Sequence, residues 1–349
     1  MRFRVFWAAA LVLSSVSSGV DSQVLQRNAQ YWLPASYNNR FYDLFNHAAR
    51  SFYAAHVAHF GVYEVGISEA SPDSAMLGLE RRIASLIQQP PRFEPAFELI
   101  APKWSRMAYQ TGAAMDWTHH LHEQLYDILA DDRVEDKKTA GERAIAYYLS
   151  NVRSAFSTRG YGHAFMMGGG SWAGTFAERY PSVNGILWAY HWHHAAIYEA
   201  LMEENLERRR EAIDRVLRVF HDSVLVDPPQ YMPLTAEIAP RFGEMFPAAA
   251  HIFDNLHMMH DVANDIVADA TIPLNRKGAE IERILRQMLY ANQEWVIPPE
   301  LPHEAHGSMP MSAQTVPTQL PDGSWLPQGH PRASHPGMAP MSRGEGGHQ

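Results

Sequence analysis

One pattern occurs four times in this chain and limits what it can fold into: His-x-x-His-x-x-x-(Tyr/Asn)-(Glu/Asp). The copies are His56, His59, Tyr63, Glu64; His119, His122, Tyr126, Asp127; His191, His194, Tyr198, Glu199; and His257, His260, Asn264, Asp265. Residues three and four apart share a helix face. Each copy therefore aims two imidazoles and a polar ring or amide in one direction. Four such helices facing inward bring eight histidines to a common centre, and imidazole is the commonest protein ligand for transition metals.

The copies form two pairs. Asp116-x-x-His119-x-x-His122-Glu123 returns 138 positions later as Asp254-x-x-His257-x-x-His260-Asp261. The same offset aligns Pro90-Pro91 with Pro228-Pro229, Pro95 with Pro233, and Ile100-Ala101-Pro102-Lys103-Trp104 with Ile238-Ala239-Pro240-Arg241-Phe242. His56 and His191 lie 135 apart, so the halves differ little in length there. A long unit present twice predicts one pseudo-twofold domain rather than a solenoid. The expected architecture is an all-α, internally duplicated helical bundle with a central His-rich four-helix core. Its expected parts are a first helical repeat over 23–150, a Gly-rich linker over 151–182 and a second repeat over 183–296.

Helical periodicity of about 100° per residue supports inward histidines. Phe41, Phe45, Ala48, Phe52, His56, His59 and Tyr63 fall on one line, as do Leu187, His191, His194, Ala195, Tyr198 and Met202. His47 falls on the opposite, solvated face, and His193 points away from its stripe and is not expected to be a ligand. The second and fourth segments add acids to the His face: Asp116 and Glu123 in one, Asp254 and Asp261 in the other. Pro-Pro segments over 90–102 and 228–240 read as extended straps. Leu206 to Phe220 reads as a charged helix with a solvated face. Gly160 to Gly174 lacks the Lys-Ser/Thr ending of a phosphate loop and reads as a flexible connector. A lid role there for His163 or Met167 is the lesser reading.

Arg2 and Arg4, the apolar run Val5 to Leu13 and the small residues Ser14 to Ser22 read as an export signal over 1–22. The mature chain is then expected in the periplasm or secreted, with no membrane span. The chain has no cysteine. Thiolate sites, iron–sulfur clusters and covalently attached haem are thereby excluded. The formal charge is −9 and no basic stripe exists, which argues against nucleic acid as a partner. Residues 297–349, rich in Pro, Gly, Ser and Gln, read as a disordered tail.

The metal-ligand candidates are thus the eight motif histidines with Asp116, Glu123, Asp254 and Asp261. Glu64, Asp127, Glu199 and Asp265 sit off the His line and are expected to support the ligands by accepting the other imidazole N–H, and Asn264, on the His face, is expected to support them too. Tyr63, Tyr126 and Tyr198 are candidate redox or catalytic groups. In plan the helix order is similar to that of the di-iron and di-manganese carboxylate bundles, with His replacing Glu on two helices and Asp shortening it on the others. The likeness is architectural only.

Many imidazoles with few carboxylates favour copper, zinc or iron over magnesium or calcium. His306, Met309, Met311, His335, Met338 and Met341 in the tail tip the choice toward copper, with iron or zinc behind it, because thioethers suit Cu(I). Met258 and Met259 read as packing residues. The first functional reading is an exported oxidoreductase with a dinuclear or larger centre, acting on a small molecule or a metal ion. The competing readings are copper storage or delivery without turnover, a b-type haem electron carrier, and a metal-free polar pocket.

Overall fold

The computed structural model of the chain describes residues 39–67, 72–92, 94–160, 174–291, 318–319 and 325–326. The first half contains α1 (Arg40–Leu44), α2 (Asn46–Gly66), α3 (Pro72–Gln88), α4 (Phe97–Ile100), α5 (Pro102–Met107), α6 (Tyr109–Ala130) and α7 (Lys137–Ser150). The second contains α8 (Thr175–Arg179), α9 (Pro181–Leu201), α10 (Leu206–Val219), α11 (Thr235–Ile238), α12 (Pro240–Met245), α13 (Pro247–Ala268) and α14 (Leu274–Met288). A π-helical turn, Phe220–Val224, follows α10. Two short strands, Thr318–Gln319 and Trp325–Leu326, pair antiparallel within the segment read as a disordered tail. The rest of that tail, residues 1–22 read as an export signal, and His163, Met166 and Met167 lie outside the described residues.

The all-α expectation holds, and the helix order of the first half returns in the second. α1 and α2 match α8 and α9 in length at an offset of 135, and α4, α5 and α6 match α11, α12 and α13 at 138. The second half begins earlier than the sequence boundary at 183, since α8 and the start of α9 occupy the end of the expected linker. The straps are also less extended than expected. Phe97–Ile100 and Thr235–Ile238 are helical, because Phe97 and Ile238 find burial and pull the chain into a turn.

A shared device starts the long helices. Phe45, Ala108, Tyr180 and Phe246 each separate a short helix from a long one, and Ala101 and Ala239 separate two short ones. All six hold φ between −125° and −141° and ψ between 50° and 71°. Each still donates its N–H to the carbonyl four residues back, at 2.7–2.8 Å. All six are buried. Proline at the first helical position of α5, α9, α12 and α13 suits these restarts, because its ring presets φ and its missing N–H would be unsatisfied there anyway.

α2 packs on α9 and α13, and α6 packs on the same two helices. These four form the inner layer. The stripe Phe41, Phe45, Ala48, Phe52, His56, His59, Tyr63 is wholly buried in it. Gly66 lets the end of α2 lie against Val267 of α13, where a Cβ would have no room. α7 and α14 cover the outer sides of α6 and α13. α10 carries most of its charges outward, as its periodicity implies, but Arg209 is buried and pairs with Asp132; Asn205 caps the helix by accepting from Arg208 N–H at 3.0 Å. Among the described residues no helix is long and apolar enough to cross a membrane.

Candidate metal centre

The four inner helices bring the eight motif histidines together, every one of them buried. Ring centroids link them all. His56 stacks on His119 at 3.6 Å and His191 meets His257 at 3.7 Å. His59 lies 4.5 Å from His260 and 6.4 Å from His257. His122 lies 5.8 Å from His194, 6.3 Å from His257 and 6.5 Å from His119. The four-helix expectation therefore becomes one cluster fed from both halves.

Hydrogen bonds orient these rings. His59 and His257 donate from Nδ1 to the carbonyls of Ala55 and Phe253, one turn back, at 2.7 and 2.6 Å. That assigns the proton to Nδ1 and leaves Nε2 with its lone pair. His191 donates from Nε2 to the Pro233 carbonyl at 2.5 Å, leaving Nδ1. Tyr63 reaches Nδ1 of His260, and Tyr198 reaches Nδ1 of His122 at 2.8 Å. Those two contacts are equivalent under the sequence offsets, and each crosses between halves. Trp104 and Phe242, also equivalent, stack on Tyr63 and Tyr198 at 4.1 and 3.9 Å.

What the network leaves undone is as informative. Buried Nδ1 of His119 and His191, and buried Nε2 of His122, His194 and His260, meet no hydrogen-bond partner among the described residues. A buried polar atom left so costs about 1–3 kcal/mol. Five nitrogens in one cluster, each a neutral lone-pair donor or a weakly placed N–H, fit metal ions well and fit a closed polar network badly. Burial holds the histidines neutral: it depresses His59 to about 4 and His191 to about 3. His119, His122, His194, His257 and His260 fall well below the usual range, first through burial and then through neighbouring imidazoles. Neutral imidazole is the form that ligates.

A residue not singled out from the sequence joins them. The Glu94 carboxylate contacts Nδ1 of His56, with its side chain only 5% exposed. The donor atoms of His56, Glu94 and His119 all lie within 4.8 Å of one another, a spacing that could hold one ion. Glu94 lies on a strap with no periodicity, and its offset partner is Met232, so neither pattern nor repeat marked it.

The other acids are placed elsewhere. Asp116 lies half-buried, 3.8 Å from His120. Asp254 accepts from Thr235 N–H at 2.8 Å, and burial raises its carboxyl to about 7. Glu123 is half-buried beside Asp127, lining a small open cleft with Phe41, Phe52 and Tyr126. Asp261 is buried near Tyr63 and Asp265, and burial raises it well above the usual range.

The support expected from Glu64, Asp127, Glu199 and Asp265 takes another form. Instead of imidazoles, these carboxylates receive backbone N–H groups at the starts of short helices. Asp127 accepts from Asn39 and Phe41 at 2.9 and 2.7 Å, and Asp265 from Gly174 and Phe176 at 3.1 and 2.8 Å. Glu64 accepts from Lys103 and Trp104, and Glu199 from Arg241, whose guanidinium also pairs with it at 2.6 Å. Unsatisfied N–H groups of a helix start compete better for a carboxylate than a ring facing inward.

Asn264 is buried, its Oδ1 without a partner among the described residues. Tyr126 donates to the His194 carbonyl at 2.7 Å, so of the three tyrosines it holds a backbone rather than a ring. Burial raises all three hydroxyls well above the usual tyrosine range. His47 is exposed, as expected. His193 is buried outside the cluster, packed on Phe220 at 4.7 Å. Met258 and Met259 are fully buried packing residues.

Phe52 separates the cleft from the cluster: it lines the cleft and packs on His56 and His194 at 4.3 and 4.7 Å. No protein-family model, curated protein or solved structure matches this chain.

Proposed function

We propose that this chain is an exported metalloprotein whose buried histidine cluster holds two or more transition-metal ions, copper in preference to iron or zinc, and uses them in oxidoreductase chemistry on a small molecule or a metal ion. The observation that carries this reading is the convergence of eight imidazoles from four helices, with buried nitrogens of His119, His122, His191, His194 and His260 unpartnered among the described residues. His56, His119 and Glu94 would hold one ion, with the remaining rings available for others. Bound metal would supply the redox change. The protein's own part is to hold the rings neutral, fix their tautomers through Ala55, Phe253 and Pro233, and exclude water. Tyr63 and Tyr198, each accepting from Nδ1–H of His260 or His122 and donating to that residue's carbonyl, would leave the Nε2 lone pairs of those rings for an ion. Oxidisable phenols so close to the ions support turnover over passive binding.

Storage or delivery of copper is the second reading, supported by the His- and Met-bearing tail. Ring centroids as close as 3.6 and 3.7 Å leave no slot for a macrocycle between those pairs, so a haem carrier is not taken further. Elemental analysis of the folded full chain tests the proposal, with His119→Ala and His257→Ala alongside. Bound transition metal that falls in both variants is expected, as is dioxygen or peroxide consumption with a reductant. A protein that neither contains nor takes up metal would remove the proposal; a metal-loaded protein inert to both oxidants would leave storage or delivery.

A further inference from the structure

The halves match in backbone at the cluster but differ in charge. In the first, the stacked pair His56 and His119 has the Glu94 carboxylate against it. In the second, the equivalent pair His191 and His257 meets at 3.7 Å, but the strap position matching Glu94 is Met232, only 2% exposed. The neighbouring Pro233 carbonyl takes the Nε2 hydrogen of His191. Asp254, the acid nearest in sequence, is bound to Thr235 N–H. Among the described residues the only group of three or more His, Asp or Glu side chains within ion-holding distance is His56, Glu94 and His119.

Resting on the metal-binding reading above, we propose that the cluster takes two unlike cations: a divalent ion at His56 and His119 with Glu94, and Cu(I) at His191 and His257, with the thioether of Met232 as the soft donor on the adjoining strap. Charge decides this. A divalent ion beside one carboxylate leaves one net positive charge buried. The same ion among neutral imidazoles, a carbonyl and a thioether leaves two, at a much higher desolvation cost. A monovalent ion there also leaves one. Neutral nitrogen and thioether donors are, besides, the set that suits Cu(I).

The test is an anaerobic titration of the full chain with Co(II), followed by its visible absorption, and with Cu(I) buffered by a chromophoric chelator. Wild type should take one Co(II) at the cluster and still accept Cu(I). Glu94→Gln should weaken Co(II) binding at least about 10-fold and leave the Cu(I) count unchanged. His257→Ala should lower the Cu(I) count by one and keep the Co(II) absorption. Met232→Glu should admit a second Co(II); if that variant fails to fold by circular dichroism, the other two still decide. Two Co(II) ions of like affinity in wild type, or Co(II) binding indifferent to Glu94→Gln, would overturn the unlike-cation assignment while leaving metal binding intact. Uptake of neither ion would overturn the metal-binding reading as well.

Discussion

Tyr198 Oη lies 2.8 Å from Nδ1 of His122, joining a helix of the second half to one of the first. Tyr63 makes the equivalent contact with His260 in the opposite sense. Each bond turns a ring so that its Nε2, the atom left without a partner, faces away from the phenol. Tyr198→Phe and Tyr63→Phe should therefore each destabilise the protein by about 1–3 kcal/mol in urea denaturation, because a buried nitrogen loses its partner. Metal affinity, measured by chelator competition, should fall about 10- to 100-fold in each. Unchanged affinity in both variants would show that the tyrosines only pack.

Acid should unfold the metal-free protein early, and the sign can be worked out. His59, His119, His122, His191, His193, His194, His257 and His260 all have depressed values when folded. The unfolded chain binds these protons near pH 6.5 and the folded one does not. Their contribution is complete above about pH 6.5 and is lost as pH falls toward about 4 for His59 and about 3 for His191 and His193. Asp127, Asp254, Asp261 and Asp265 are raised and act with the opposite sign, but they are fewer. The urea midpoint should drop between pH 7 and pH 5; a midpoint that rises over that interval would contradict the buried, neutral cluster.

Asp127→Ala and Asp265→Ala test the helix-start contacts. Each acid receives two backbone N–H groups at equivalent places, Asn39 and Phe41 or Gly174 and Phe176. Each substitution should cost about 0.5–2 kcal/mol, as lost caps do. Neither should alter the metal count, which separates these carboxylates from Glu94. A loss of bound metal in either variant would restore them to the ligand-supporting role expected from the sequence.

Metal should stabilise the fold by mass action. Free ion at about 100 times its dissociation constant should add about 2.7 kcal/mol, seen as a higher urea midpoint and reversed by a chelator. In His119→Ala, which lacks a ring of the Glu94 triad, this gain should shrink. Equal gains in variant and wild type would place the binding elsewhere.

The helical class, the inward histidines and the repeated helix order were all legible because periodicity and spacing are local properties. The stripe from Phe41 to Tyr63 is a direct case: seven positions on one line, seven buried side chains. Glu94 was not legible, because a strap residue owes its position to how the chain packs back onto α2 and α6. Glu64, Asp127, Glu199 and Asp265 were misassigned for a related reason. Their angle on the helix was correct, but the groups waiting there were N–H groups of short helices whose existence periodicity over five or six residues cannot reveal. His193 shows the reverse limit: it lies off the inner face yet is buried, because Phe220 covers it from α10's continuation.

The six buried breaks between consecutive helices have a further effect. A long rod that begins at a kinked, hydrogen-bonded corner cannot slide along its own axis without pulling the preceding short helix out of its seat. The heights at which the imidazoles project are therefore set by corners tens of atoms away rather than by the rings themselves. Ions entering such a frame must adapt to donor spacings already decided, so exchange of one metal for another will be governed by fit and charge more than by any hinge in the protein.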